Sequence, residues 1–450
     1  MRVIRVALAT IFSAILSLTV SAGNTPIFTA ERIASKVFDS SVYSVHLGER
    51  TKPLMILIHG LGEAGWLDWQ YVMPKLAQDH FVVTFDLPGF GQSASSAVLY
   101  SPENYAALTE EIRQYYAANH PATILGHSMG GAVALKYAAN FPEKIQELIL
   151  VDVAGVLHRS VFTQYAMKES LRPSDALLNV LFDLAEPGLE RINAGLSKRM
   201  EMLPDLSRFL MENASARTFL LADRSNVHAA LALIDSNFSA DFAKIRTKTK
   251  ILWGSDDPVT SVRVAKLLAY ELVHSELHVI EGAAHVPMKS HLETFVRLVR
   301  TPLVTKAKVN DHVMDTIVKD EVICKDRSGF RFQGKVKRLH LMNCQDAELA
   351  NIEAHELVLN NSSATIESLS ISSQVPAIRL NNARVSITGA YVKAPEIFVA
   401  DNAVLDVAGL TSEGAERIWT GTKSTAFFSV TRRKRADATT EHLHGVYQLP

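Results

Sequence analysis

A serine framed by glycines, Gly126-His127-Ser128-Met129-Gly130, follows the apolar run Thr123-Ile124-Leu125 and precedes a helix-like stretch from Ala132 to Asn140. Strand, tight turn and helix in that order hold one hydroxyl on a strained elbow above a sheet. The helix that starts there aims its unpaired N–H groups and positive dipole end at any anion formed beside the serine. A serine hydroxyl is a poor nucleophile and needs a base within hydrogen-bond reach. Among 16 histidines, His285 is the candidate base, because Glu281-Gly282-Ala283-Ala284-His285 directly follows the apolar run Leu277–Ile280. A base in that role needs a carboxylate to fix its tautomer and stabilise the imidazolium. Trp253-Gly254-Ser255-Asp256-Asp257-Pro258-Val259 offers two, again just after an apolar run. Neighbouring side chains diverge, so only one of the pair can face an imidazole. The offset from Gly254 favours Asp257 and leaves Asp256 to shape the turn. Asp152, after Leu148–Val151, is an alternate acid.

Attack on a carbonyl also builds an oxyanion, which needs donors. Ile58-His59-Gly60-Leu61-Gly62 follows the run Leu54–Ile58, so a backbone N–H from this loop can face the serine. The expected donors are the N–H groups of Leu61 and Met129. His59 and Asp86, the latter in Phe85-Asp86-Leu87-Pro88-Gly89-Phe90-Gly91, are read as structural residues of their loops.

These loops need a scaffold that brings strand ends together. From about residue 30 to 300, short apolar runs alternate with helical stretches: 54–58, 81–85, 123–125, 148–151, 251–253 and 277–280. Continuous apolar strands separated by helices imply a mostly parallel sheet covered on both faces. Between about 157 and 244 the strand rhythm stops, and amphipathic patterns broken by Pro173, Pro187 and Pro204 suggest a helical cap. Its apolar residues, among them Leu181, Phe182, Phe209 and Leu210, would line a substrate pocket.

Beyond about residue 306 the pattern changes. Apolar triplets ending at Leu341, Leu359, Leu380 and Val399 are spaced 18, 21 and 19 positions apart. A second series through Ile352, Ile371, Ile387 and Leu405 interleaves with it. Two strands per ~20-residue repeat, with Asn and Ser at the corners, fit an all-β parallel β-helix-like domain; a β-sandwich is the rival. Cys324 and Cys344 lie 20 positions apart, one repeat, so either they form a disulfide stapling adjacent rungs or both are free thiols. Residues 426–450 read as a C-terminal tail, and the basic run Arg432-Arg433-Lys434-Arg435 as a solvated segment.

The N-terminus reads as an export signal over residues 1–22: Arg2 and Arg5, an apolar stretch from Val6 to Val20, then small residues up to Ala22. The apolar stretch falls short of the ~20 residues that comfortably span a bilayer. An exported chain, periplasmic or secreted, meets conditions that permit a disulfide. With 450 residues, 48% of them hydrophobic, the chain can bury more than one core. A net charge of −1 argues against a nucleic-acid partner.

The set His59-Gly60, Asp86–Gly91, Gly126–Gly131, Gly254–Asp257 and His285 resembles the α/β-hydrolase superfamily over about residues 30 to 300. The resemblance implies an eight-stranded sheet with a helical cap over 23–305, and hydrolysis without a cofactor or metal through an acyl-enzyme. It is nearest the capped esterases, lipases and carbon–carbon bond hydrolases. Serine at 128 departs from the aspartate nucleophile of dehalogenases and epoxide hydrolases. The expected substrate is a small-molecule or lipid ester, with carbon–carbon cleavage or acyl transfer as alternatives. A β-helix-like domain over 306–425 could instead serve binding, to polysaccharide, a cell surface or a second copy. Fold alone does not decide between an enzyme and a binding protein.

Overall fold

Strand residues in the computed structural model alternate between two apolar layers, which is how a sheet covered on both faces is built. Ile56, Val83, Ile124, Leu148 and Ile251 face one layer, and Met55, Val82, Leu125, Ile149 and Leu252 face the other. The structure describes residues 27–157, 212–221, 224–303, 319–435 and 437–449. The expected export signal and most of the expected cap, including Leu181, Phe182, Phe209 and Leu210, lie outside the described residues.

Eight strands form the first sheet: β1 (Thr29–Ser35), β2 (Ser40–Leu47), β3 (Leu54–Ile58), β4 (Phe81–Phe85), β5 (Ala122–His127), β6 (Ile145–Val151), β7 (Thr249–Gly254) and β8 (Ser275–Ile280). Their order is β1-β2-β4-β3-β5-β6-β7-β8. Strand β2 is antiparallel to both its neighbours, and the rest of the sheet is parallel. Helices that bear on the site are α1 (Pro102–Ala117), α2 (Met129–Asn140), α3 (Ser225–Ile234), α4 (Val262–Glu271) and α5 (Leu292–Arg300). Because the strands are parallel, the loops after β3, β5, β7 and β8 open on one rim. This is the α/β-hydrolase fold that the motifs implied.

The C-terminal part is all-β. Its strands are β9 (Lys319–Ser328), β10 (Arg331–Gln345), β11 (Ala347–Asn360), β12 (Ser363–Ser372), β13 (Ile378–Asn381), β14 (Arg384–Lys393), β15 (Glu396–Asp401), β16 (Val404–Glu413), β17 (Arg417–Thr422), β18 (Ser424–Lys434) and β19 (Thr440–Leu449). They share one nearly closed eleven-stranded sheet. Every ladder is parallel except the last, β18 with β19. The first expected series stacks as read at Leu341↔Leu359↔Leu380, but Leu380 then meets Ala400 instead of Val399. The second series pairs as read at Ile352↔Leu369 and Val385↔Leu405 but slips between them: Leu369 and Ile371 sit beside Ala390 and Val392, while Val385 and Ile387 sit beside Ala364 and Ile366. The reason is a corner inside each long strand, at Ser368, Gly389, Gly409 and Val430, all with positive φ. Each repeat therefore supplies three straight legs where two were expected.

One corner is built from the same residue type at successive levels. Asn343, Asn361, Asn382 and Asn402 all take left-handed backbone, which asparagine tolerates better than most residues. Their amides form a chain: Asn343 donates to Asp326 (2.6 Å), Asn361 to Asn343 (3.2 Å), Asn382 to Asn361 (2.8 Å) and Asn402 to Asn382 (2.9 Å). Inside, Leu, Ile and Val side chains make a separate core.

Cys324 and Cys344 form a disulfide with Cα atoms 6.4 Å apart. They are not stacked equivalents, since the ladder partner of Cys324 is Leu341. The bond instead spans the corner beside Asn343. Residues 426–450 are not a tail, because β18 and β19 continue the sheet to Leu449. Nor is the basic run simply solvated. Arg432 pairs with the buried Glu271 of α4, Lys434 with Glu413 at 2.8 Å, and both Arg433 and Arg435 with Glu441.

Candidate active site

At the end of β5 the chain turns so sharply that Ser128 adopts φ 53° and ψ −118°. The conformation survives because the elbow is tied on both sides. The Ser128 N–H donates to the Val151 carbonyl (2.9 Å), and the Ser128 carbonyl accepts from Gly131 (3.0 Å). Gly126 and Gly130 are needed for contact: a Cβ at Gly126 would lie 2.1 Å from the Gly130 oxygen, and one at Gly130 2.2 Å from the Ile58 oxygen. The hydroxyl sits at the start of α2.

The loop after β8 carries His285 to this hydroxyl, with Nε2 3.1 Å from Ser128 Oγ. On the other side of the ring, Nδ1 is 2.8 Å from Asp257 Oδ2, so the carboxylate fixes the tautomer that leaves Nε2 facing the serine. Asp257 is held in turn by its own loop. Its Oδ1 accepts N–H bonds from Val259 (2.7 Å) and Thr260 (3.0 Å), and its Oδ2 accepts the Thr260 hydroxyl. Burial pushes this carboxyl up, but the hydrogen bonds from His285 and Thr260 outweigh it and hold Asp257 below the usual carboxylate range. Asp256 is exposed and accepts from the Ser255 hydroxyl (2.7 Å), at the turn where the spacing put it.

Asp152 lies at the end of β6, fully buried, with Oδ1 accepting from the Gly254 N–H at 2.9 Å. Burial first, and the Asp257 charge second, push its carboxyl well above the usual range. A neutral acid beside an ionised one is the expected outcome for two buried carboxyls in one place. Asp152 therefore does not take the place of Asp257 at the His285 ring. His127, Asp152 and His285 bring ligand-type atoms within 4.8 Å of one another, but both nitrogens of the shared His285 ring already face Ser128 and Asp257.

Met129 follows the serine directly, and Leu61 follows Gly60 in the loop after β3. A Cβ at Gly60 would lie 3.0 Å from Ser128 Cβ, so the loop after β3 passes directly against Ser128. Met129 opens α2, where backbone N–H groups lack intrahelical partners. His59 is fully buried, donates from Nδ1 to the Gly60 carbonyl (2.7 Å) and accepts the Leu87 N–H at Nε2 (3.0 Å). With both nitrogens committed it fixes loops and moves no proton. Asp86 accepts from Trp66 and Gln92, each at 2.7 Å, as a loop tie.

Sequence reading overlooked His127 as more than a motif letter. Its Nε2 donates to the His285 carbonyl at 2.6 Å, so the residue before the serine holds the loop that carries His285. Burial pushes the His127 ring down to about 3, which keeps it neutral. Nothing in a string of residues marks a bond across 158 positions.

The sequence profile of the α/β hydrolase fold matches residues 53–292. An uncharacterized protein of Mycobacterium tuberculosis is 28% identical over 259 residues, 55% of this chain and 74% of that one. The 2-hydroxy-6-oxo-2,4-heptadienoate hydrolase of Pseudomonas putida is 26% identical over 256 residues, 54% of this chain and 87% of that one. Among solved structures, a hydrolase from Pseudomonas aeruginosa aligns with 23% identity and TM-score 0.45, covering 62% of this chain and 97% of that one. The profile match runs from the approach to β3 to the first residue of α5, more than half of the 450 residues, and the chain belongs to the α/β hydrolase fold family.

Proposed function

We propose that the chain is an exported serine hydrolase that cleaves carboxylic esters through an acyl-enzyme, its hydrolase fold resting on a β-helix-like stack. The observation that carries this reading is the continuous line from Ser128 Oγ through the His285 ring to the Asp257 carboxylate, at 3.1 and 2.8 Å. His285 takes the Ser128 proton at Nε2 as the hydroxyl adds to the acyl carbon. The imidazolium faces Asp257, which stays ionised. The tetrahedral oxyanion lies against the N–H groups of Leu61 and Met129, each such donor being worth about 3–4 kcal/mol of transition-state stabilisation. His285 then protonates the leaving alcohol, and a water activated by the same nitrogen releases the acid.

Labelling with a fluorophosphonate probe, followed by a panel of esters of increasing acyl length, tests the reading. Covalent modification confined to Ser128, with hydrolysis abolished in Ser128→Ala, supports it. Labelling that persists in Ser128→Ala overturns it in favour of another nucleophile, and none in the wild type overturns it and leaves a binding role. Sequencing the exported protein from its N-terminus tests export, with cleavage after Ala22 expected.

A second reading, carbon–carbon bond hydrolysis of diketone-like acids, rests on the similarity to the Pseudomonas putida hydrolase. Product analysis on ester and diketone substrates separates the two, since both use the same serine. For the C-terminal strands, the contacts with α4 supply a partner inside the chain.

A further inference from the structure

The loop that presents Asp257 ends where α4 begins, and α4 is seated on the C-terminal strands. Asp257 and Thr260 are joined by the bonds given above, and the Thr260 carbonyl accepts the Trp253 indole N–H at 3.0 Å. Ser261 then caps α4, accepting the Arg263 N–H at 3.3 Å. Acid, loop and first helical turn thus form one hydrogen-bonded unit.

Arg263, in that first turn and buried, reaches out of the hydrolase sheet altogether. Its Nε donates to Thr388 Oγ1 (2.7 Å), and one Nη donates to the carbonyls of Ile387 (3.0 Å) and Asp406 (3.2 Å). The other Nη meets the Asp406 carboxylate. A planar fork filled on several sides fixes orientation as well as distance. Farther along α4, Lys266 pairs with Glu367 of β12, and Glu271 with Arg432 of β18. The helix is therefore pinned to β12, β14, β16 and β18 in turn.

Its seat is also shaped for it. Gly389 and Gly409 sit at equivalent corners with φ 73° and 76°. A Cβ there would come within 2.6 Å of the Tyr270 ring and 2.5 Å of Leu267 Cδ1. Ala408 and Val430 join the same apolar cluster as Leu267 and Leu268.

We infer that Arg263 is a positioning residue through which the C-terminal strands set the aim of Asp257 at His285. The inference rests on the serine-hydrolase reading and assigns the C-terminal part a task in it. If Arg263 lets go, α4 can pivot and the 2.8 Å contact between Asp257 and His285 loosens, although every group that touches substrate is still present.

The test uses the full-length chain with Arg263→Ala, Thr388→Val and Thr388→Ser. Fluorophosphonate titration counts competent sites, so kcat is read per labelled Ser128. Arg263→Ala is expected to lower kcat about 100-fold and Thr388→Val about 10-fold, with KM moving less than about twofold, the pattern of misaimed catalytic groups. Thr388→Ser keeps the hydroxyl and restores kcat. The far-downfield proton resonance of the Asp257–His285 hydrogen bond, assigned by its loss in His285→Ala, should weaken in the first two variants and return in the third. Should Arg263→Ala fail to fold, the Thr388 pair carries the test, since it removes one hydroxyl at a site that Val fills. Wild-type kcat per labelled site and an unmoved resonance in Thr388→Val would overturn the inference. A wild type that takes no label would instead overturn the hydrolase reading, while the resonance still reports whether Arg263 holds Asp257.

Discussion

The two sheets of this chain use polar residues in opposite ways. On the rim of the first sheet each polar group occurs once and has partners of its own: Ser128 with His285, His285 with Asp257, His59 with Gly60 and Leu87. In the C-terminal sheet one polar group recurs at four successive levels, in the chain of amides from Asn343 to Asn402. A unique arrangement concentrates chemistry at one point, and losing one member loses the whole. A repeated arrangement spreads its load, so that losing one member costs only that rung.

The contrast is sharpest at Ser128. Ser128→Ala should lower ester hydrolysis by about 10⁶-fold, measured as kcat, because serine and base act as one unit. Asp257→Asn should cost about 10⁴-fold by disturbing the tautomer, whereas Asp256→Asn, altering an exposed turn, should leave kcat unchanged. An equal loss in both would mean that the acid had been misassigned. In the other sheet the largest single effect expected is removal of the disulfide. Cys324→Ser with Cys344→Ser should lower the stability of the C-terminal strands by about 3 kcal/mol in denaturant unfolding, for a closed loop of about 20 residues.

Asn382→Ala should cost about 2 kcal/mol, for left-handed backbone and two lost amide bonds, without touching kcat. A collapse of the whole sheet would break the comparison. The smallest effect expected, taken per pH unit, links stability to pH. His127 is neutral when folded, down to about 3, whereas an unfolded histidine binds its proton near 6.5. Between those values the unfolded chain holds more protons, so stability falls as pH falls, by about 1.4 kcal/mol per unit. His127→Gln should flatten the stability profile between about pH 4 and 6 by one proton.

What could be read from the sequence follows the same division. Strands β3 to β7 were legible because burial on both faces demands continuous apolar residues, and Ser128, Asp257 and His285 because each follows such a run. Strands β1 and β2 were not, since the outer, antiparallel pair mixes polar with apolar residues. In the C-terminal part the Leu341–Leu359–Leu380 stack showed through its period, while the corners at Ser368 and Gly389 hid the register of the second series. Arg263 and the basic run at 432–435 were illegible for another reason. A charge on a string of residues reads as solvated until the fold brings Asp406, Glu271 or Glu441 to meet it.

The reversal at β19 covers one edge of the C-terminal stack. A series of parallel rungs presents at its last member an edge on which another molecule's strand could continue the pattern, the usual origin of fibrous association. Here that edge, on β18, is occupied by a strand of the same chain running the opposite way. A strand arriving at this end from another molecule meets β19, which breaks the parallel run, and not the bare edge of β18.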